Sequence, residues 1–168
     1  MATPIFAWFE GTAQGKIDGW GSWPGEDDVK DREGSSLIYQ LEHEVKVPRN
    51  PQTGLPSGQR VHHPVRVIKR MDKATPKLFQ ALVHAELFKS VTFKWYRTKS
   101  GSGRQEHYFT TELQNAMLVE MKDWFPLTVD EDKETYSHFE DLAFTYRKIR
   151  WVWEIDGIES EDDWMVQS

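Results

Sequence analysis

Residues 141–155, DLAFTYRKIRWVWEI, alternate apolar and polar side chains with a period of two and then lose step. Leu142, Phe144 and Tyr146 occupy even positions, whereas Ile149, Trp151, Trp153 and Ile155 occupy odd ones. Successive side chains of a β-strand point to opposite faces, so one straight strand cannot turn both sets inward. An extra residue near Arg147–Lys148 resolves the conflict. A bulge or corner there bends the strand, as a sheet must bend when it closes on itself.

The same alternation recurs upstream. In SSLIYQLEHEVKV, residues 35–47, Leu37, Tyr39, Leu41, Val45 and Val47 share one face, and Gln40, Glu42, Glu44 and Lys46 share the other. Ile38 and His43 fall outside the pattern. This predicts a strand with one dry and one wet face. VTFKWYRTK sets Val91, Phe93 and Trp95 against Thr92, Lys94 and Thr98, and EHYFTTELQNAMLVEM returns with Phe109, Leu113, Met117, Val119 and Met121 in one parity. The SGSG between them reads as a hairpin tip. One segment is helical, KATPKLFQALVHAELFK, with Thr75 placed as N-cap and Pro76 at the first helical position. Its apolar side collects Leu78, Phe79, Leu82, Val83 and Ala85, and Glu86 is a misfit there. So short a helix needs a sheet to pack on.

A chain of 168 residues suits one ordinary domain, and a closed antiparallel β-barrel with one flanking helix and extended loops is the expected fold. Aromatics reach 13%, with 8 Trp, more than one core of this size absorbs, so contacts with other chains are expected. The net charge of -6 argues against a duplex binder. Cysteine is absent, which excludes disulfides and thiolate metal sites. MATPIFAWFEG lacks the features of a signal peptide, and no run approaches the roughly 20 apolar residues of a membrane span. The expectation is synthesis in the cytoplasm, no membrane insertion, and export only by a machine that ignores signal peptides.

Candidate chemistry is sparse. His62 and His63 sit side by side, but a strand points them to opposite faces, where they cannot clasp one ion. There is no HExxH, no GxSxG and no phosphate-binding glycine loop. No catalytic residue, cofactor site or metal site is therefore predicted, and the chain is read as a non-enzyme. Asp27–Asp28 and Glu161–Asp163 read as loop carboxylates, and with exposed Trp they leave open a carbohydrate- or peptide-binding module. Arg66 and Arg70, with Lys94, Arg97, Lys99 and Arg104 near aromatics, resemble a surface for single-stranded nucleic acid, which the acidic total opposes. The tryptophans Trp20 and Trp23 stand among glycines and acids, and residues 126–138, PLTVDEDKETYSH, form an acidic connection. The loop Pro48–Arg49–Asn50–Pro51–Gln52–Thr53–Gly54–Leu55–Pro56–Ser57–Gly58–Gln59–Arg60 has three Pro and two Gly, promising no regular structure. Loops this long in compact domains are commonly functional.

The order of segments carries a resemblance. TPIFAWFEG comes first, then DREGSS and a strand ending EHEVKVP, then a loop closing in TGxxxGxRxHxP from Thr53 to Pro64. KATPKLFQAL, LFKSVTFKWY, EHYFTTELQNA, YRKIRWVWEIDG and SEDDW follow. This series resembles the haemolysin-coregulated protein (Hcp) family, the tube subunit of the type VI secretion system, across nearly the whole chain. The resemblance implies a small closed β-barrel, a homohexameric ring, and rings stacked into a tube. It also implies partners in spike and sheath components and secreted effectors carried in the lumen, with release outside the cell or into a target cell. It implies that the loop Pro48–Arg60 reaches toward the adjacent ring and that Gln40, Glu42 and Glu44 face the lumen. Residues 130–134 and the stretch between Gly15 and Lys30 depart from the family pattern.

Overall fold

A computed structural model of the chain describes residues 3–19, 30–134 and 136–166. Among these residues the elements are β1 (Ile5–Gly11), β2 (Gly15–Ile17), β3 (Ser36–Glu42), β4 (Val45–Lys46), β5 (Val61–His62), β6 (Val65–Arg70) and α1 (Thr75–Val83). After the helix come β7 (Leu87–Thr98), β8 (Gln105–Trp124), β9 (Phe139–Thr145), β10 (Lys148–Trp153) and β11 (Ile158–Asp163). Six strands pair in the order β8, β7, β1, β3, β6, β9, and β9 returns to β8, so the sheet closes into an antiparallel barrel.

The long strand β8 makes closure possible. Its first part pairs with β10 and its second part with β9, so β9 and β10 are two legs of one strand. The break falls at Tyr146–Arg147, where the loss of step predicts a corner. Leu142, Phe144 and Tyr146 are buried before it and Ile149 after it. The odd parity then fades. Trp151 is half-buried against the core, Val152 is buried in place of Trp153, and Ile155 lies beyond the end of β10 in the turn, exposed.

Two other expected faces are corrected by bulges. On β3 the buried apolar residue is Ile38, and Tyr39 is exposed. The register with β6 shifts between Ile38 and Gln40, so Tyr39 is the extra residue, and Leu41 then returns to the core. On β8, Leu113 is buried, but so are Ala116 and Leu118, while Val119 is exposed. Asn115 carries a positive φ of 49°, and the register with β9 shifts between Leu118 and Glu120. Two changes of step along one strand bend it around the barrel. The β7–β8 hairpin tip follows the expectation, with the Lys99 N–H donating to the Arg104 carbonyl at 2.7 Å. Inside, Phe144 lies 5.7 Å from the ring centres of both Phe9 and Phe88.

The helix closes one side of the barrel, with Leu78 and Ala81 in the core. Val83 and Ala85, expected on the apolar side, are exposed, because the helix ends at Val83 and Ala85 turns out with φ 50°. Thr75 is not the cap. It is buried as the first helical residue, its Oγ1 accepting from the Asp72 N–H (3.0 Å) and donating to Glu140 Oε1 (2.8 Å). Ala74 is the N-cap residue, without a side-chain cap bond, and its N–H donates to the Asp72 carboxylate at 2.9 Å. Asp72 and Glu140 share the ammonium of Lys69, which is wholly buried between them.

Glu86, the misfit, proves to be a brace. Its Oε1 accepts from the Ala13 and Gln14 N–H groups, both at 2.7 Å, and its Oε2 from Gln14 Nε2, also at 2.7 Å. The carboxylate reaches them only because position 11 is glycine. A Cβ on Gly11 would stand 2.7 Å from Glu86 Oε1, inside van der Waals contact.

Candidate assembly surfaces

The proline–glycine loop is ordered, contrary to its composition. β4 and β5 pair as a separate two-stranded ribbon, Val45 with His62 and Lys46 with Val61, that leaves the barrel where β3 ends and β6 begins. A further bridge joins Arg49 and Pro56, and the Ser57 N–H donates to the Pro48 carbonyl at 2.8 Å. At the tip, Asn50 Oδ1 accepts from the Gln52 N–H (2.8 Å) and the Thr53 N–H (3.3 Å), an Asx turn. Gly54 closes it with φ 73°, donating to the Asn50 carbonyl at 2.8 Å. The result is a hairpin arm. Residues 45–59 are all exposed, among them Val47 and Leu55.

The arm is anchored at its base. The Arg60 guanidinium forks onto Asp162, Nε to Oδ2 at 2.5 Å and Nη2 to Oδ1 at 2.8 Å. Nη2 also donates to the carbonyls of Asp163 (3.1 Å) and Val166 (2.9 Å). Behind it a chain of groups runs inward. His62 Nε2 lies 2.7 Å from Asp162 Oδ2, His62 Nδ1 lies 2.6 Å from the Tyr146 hydroxyl, and that oxygen lies 2.7 Å from His43 Nε2. With neutral imidazoles one proton order satisfies every link: His43 donates to Tyr146, Tyr146 to His62, and His62 to Asp162. The hydrogen bond from Arg60 holds the Asp162 carboxyl below its usual range. Burial first, then the neighbouring His62 and His63, lowers His43. Burial, reinforced by Asp162, pushes Tyr146 up.

His62 and His63 do take different environments: His62 is buried in this chain of groups and His63 is half-buried. The barrel strand begins at Val65, after the histidines, which belong to the ribbon and its exit. His43 and His62 stand 103 and 84 residues from Tyr146, and Asp162 stands 102 residues from Arg60, so no local pattern groups them.

The wet face divides. Gln40 and Glu42 are exposed neighbours on β3, with Gln40 Nε2 donating to Glu42 Oε1 at 2.9 Å. Glu44 lies past the end of β3, where it pairs with Lys46 of the arm at 2.9 Å. Glu42 and Glu44 line a shallow groove with His43, His63 and Arg66. Four of the six expected nucleic-acid cations are engaged within the fold, Arg70 among them over the Tyr39 ring, whereas Lys99 and Arg104 are exposed at the hairpin tip. Arg97 pairs with Glu106 at 2.8 Å and lies over Tyr108 and Trp153, Lys94 lies over Trp8, and Arg66 meets Glu120 at 3.1 Å. Glu161 and Asp163 are on strand β11, not in a loop, opposite Lys148 (3.0 Å) and Arg147 (3.4 Å) of the neighbouring leg. Trp20, Trp23, Asp27 and Asp28 lie outside the described residues. Among the described residues, no three His, Asp or Glu side chains converge as a metal site would need.

Known proteins share this arrangement. Residues 12–153 match the family described as "Type VI secretion system effector, Hcp". A "Major exported protein" of Pseudomonas aeruginosa is 43% identical over 169 aligned positions, covering 98% of this chain and 96% of that one. A "Crystal structure of Hcp protein" superposes with a TM-score of 0.88 at 31% identity, covering 99% of this chain and 100% of that one. A "Secreted protein Hcp3 from Pseudomonas aeruginosa" gives 0.76 at 36% identity, with the same coverage. An arm-bearing barrel of this topology, matched along nearly all its length, belongs to the Hcp family of the type VI secretion system.

Proposed function

We propose that residues 1–168 act as one Hcp unit of the type VI inner tube, six copies closing into a ring and rings stacking into a channel for secreted effectors. The observation that carries this reading is the arm, an ordered hairpin exposed from residue 45 to 59 and fixed at its base by Arg60. A stiff projection with exposed Val47 and Leu55 has the form of a contact between copies. A ring requires a heterologous contact that closes by rotation, which a barrel with different flanks supplies. The role is structural, without catalysis, cofactor or nucleic acid. Spike and sheath components are its partners within the machine, and the chain leaves the cytoplasm through it for the exterior or a target cell. The exposed carboxylates Glu42 and Glu44, with Gln40, face the lumen.

Light scattering at micromolar concentration tests the ring. Six copies of 19.7 kDa make a particle of about 118 kDa, whereas a strict monomer returns the chain to a binding module. Deleting Gln52–Ser57 leaves that mass intact and weakens stacking; tubes that form equally well without the tip remove the arm from the reading.

A further inference from the structure

The end of the barrel opposite the arm carries a surface of complementary character. The arm springs from the end of β6 that starts at Val65, while the other end, Arg70, pairs with Phe139 at the start of β9. Phe139 also pairs with Trp124 at the end of β8, so the connection 125–138 sits at that far end. The Met71 N–H donates to the His138 carbonyl there at 3.2 Å. Six residues of strand separate the two features, about 17 Å of rise.

Apolar groups on the connection face solvent: Phe125, Leu127, Val129 and Tyr136 are exposed, Val129 by 81%. Beside them stand four exposed acids, Asp130, Glu131, Asp132 and Glu134. Among the described residues only Asp130 of the four is paired, with Lys133 at 3.2 Å. The arm reverses this pattern. Residues 45–60 contain Lys46, Arg49 and Arg60 and no acid. Lys46 is taken by Glu44 and Arg60 by Asp162, which leaves Arg49 exposed beside Val47 and Leu55 without an ion-pair partner among the described residues. Each surface sets exposed apolar side chains beside unpaired charge of one sign, and among the described residues neither finds in its own subunit the partner that the other presents. Because they lie at opposite ends of one strand, they cannot meet within a single chain.

We propose that the arm of one copy docks onto the connection 125–134 of a copy in the next ring, Leu55 and Val47 against Leu127 and Val129, with Arg49 set among Glu131, Asp132 and Glu134. The contact is head-to-tail and therefore repeats along a tube instead of closing on itself. This rests on the stacked-ring reading above and names its receiving surface. Charge of opposite sign fixes register and speeds encounter, while the apolar pairs supply the holding energy.

Charge exchange tests the docking. Ring mass is read by light scattering and tube length by sedimentation and electron microscopy, at low and high salt. The variant Arg49→Glu and the triple variant Glu131→Lys, Asp132→Lys, Glu134→Lys each keep the ring and shorten tubes at least tenfold. Their combination restores length, and wild-type stacking weakens as salt rises. Shortening by Arg49→Glu with an unaffected triple variant overturns the docking while leaving stacked rings intact. So does a combined variant no better than either parent. Absence of rings in the wild type removes the stacked-ring reading and the docking with it.

Discussion

Glu140 and Asp162 each close a polar cluster that ties distant parts of the chain together, one at the seam of the barrel and one at the root of the arm. Glu140 is wholly buried and joins β9 to β6 and to α1 through Lys69 and Thr75. Asp162, on β11, is about a quarter exposed and joins that strand to the arm through Arg60 and His62. Burial raises Glu140, with the Asp72 carboxylate adding to it and Lys69 and Thr75 only partly offsetting it. Asp162 is lowered, because the guanidinium fork favours its charged form and water still reaches the site. The dry cluster fixes how the helix sits on the barrel at a desolvation cost. The wet cluster orients a projecting element whose surroundings change on assembly.

The largest expected effect breaks the dry cluster. Lys69→Met strands the Glu140 and Asp72 carboxyls in the fold without their ammonium, and urea unfolding should show a loss of about 3–5 kcal/mol. The double variant Lys69→Met, Glu140→Leu should recover part of it, since an apolar pair of similar volume removes two of the three ionisable groups and leaves Asp72 with its bond from the Ala74 N–H. An equal loss in both variants would show that the ammonium, and not the stranded carboxylate, sets the stability.

Opposite pH slopes sharpen the contrast. A raised carboxyl holds its proton in the fold at a pH where the unfolded chain has lost it, so stability falls as pH rises from Glu140's ordinary value of 4.5 toward its folded value. For a lowered carboxyl the contribution is complete above the ordinary 3.8 of Asp162 and is lost as pH falls through its folded value. Melting temperature against pH should lose the first slope in Glu140→Gln and the second in Asp162→Asn. Asp162→Asn should also speed proteolysis within residues 48–60 while costing less stability than Lys69→Met. An arm that stays equally resistant would detach Asp162 from its anchoring.

His43→Phe should have the smallest effect, about 1 kcal/mol for one neutral hydrogen bond to Tyr146. His43 is lowered, so its contribution is present above the ordinary 6.5 and is lost as pH falls through the folded value. The variant should therefore flatten the acid side of the stability curve just below 6.5. An unchanged curve would place the wild-type acid sensitivity on carboxylates alone.

Legibility in the sequence follows the range of the interactions involved. The β7–β8 hairpin, the helix near Pro76 and the corner after Tyr146 depend on neighbours in the chain, and local period and turn residues announce them. Tyr39 and Val119 leave their expected faces because a bulge is set by the partner strand's register, which no single strand records. The arm's composition reads as irregular because its order comes from bonds across the hairpin such as Asn50–Leu55 and from Arg60 on Asp162. At the root of the arm, Arg60 was visible as the end of a loop but not as an anchor.

The alternating strands, the one amphipathic helix, the absence of cysteine and the ordered series of segments were enough to determine a closing β-sheet and its family, because each is a property of consecutive residues. Which carboxylate is dry, which histidines share a tyrosine, and which surfaces stand at opposite ends of β6 were decided only by tertiary structure. Those facts arise when barrel closure brings together groups seventy to a hundred residues apart, and burial, set by the whole fold, then assigns each charge its partner and its cost.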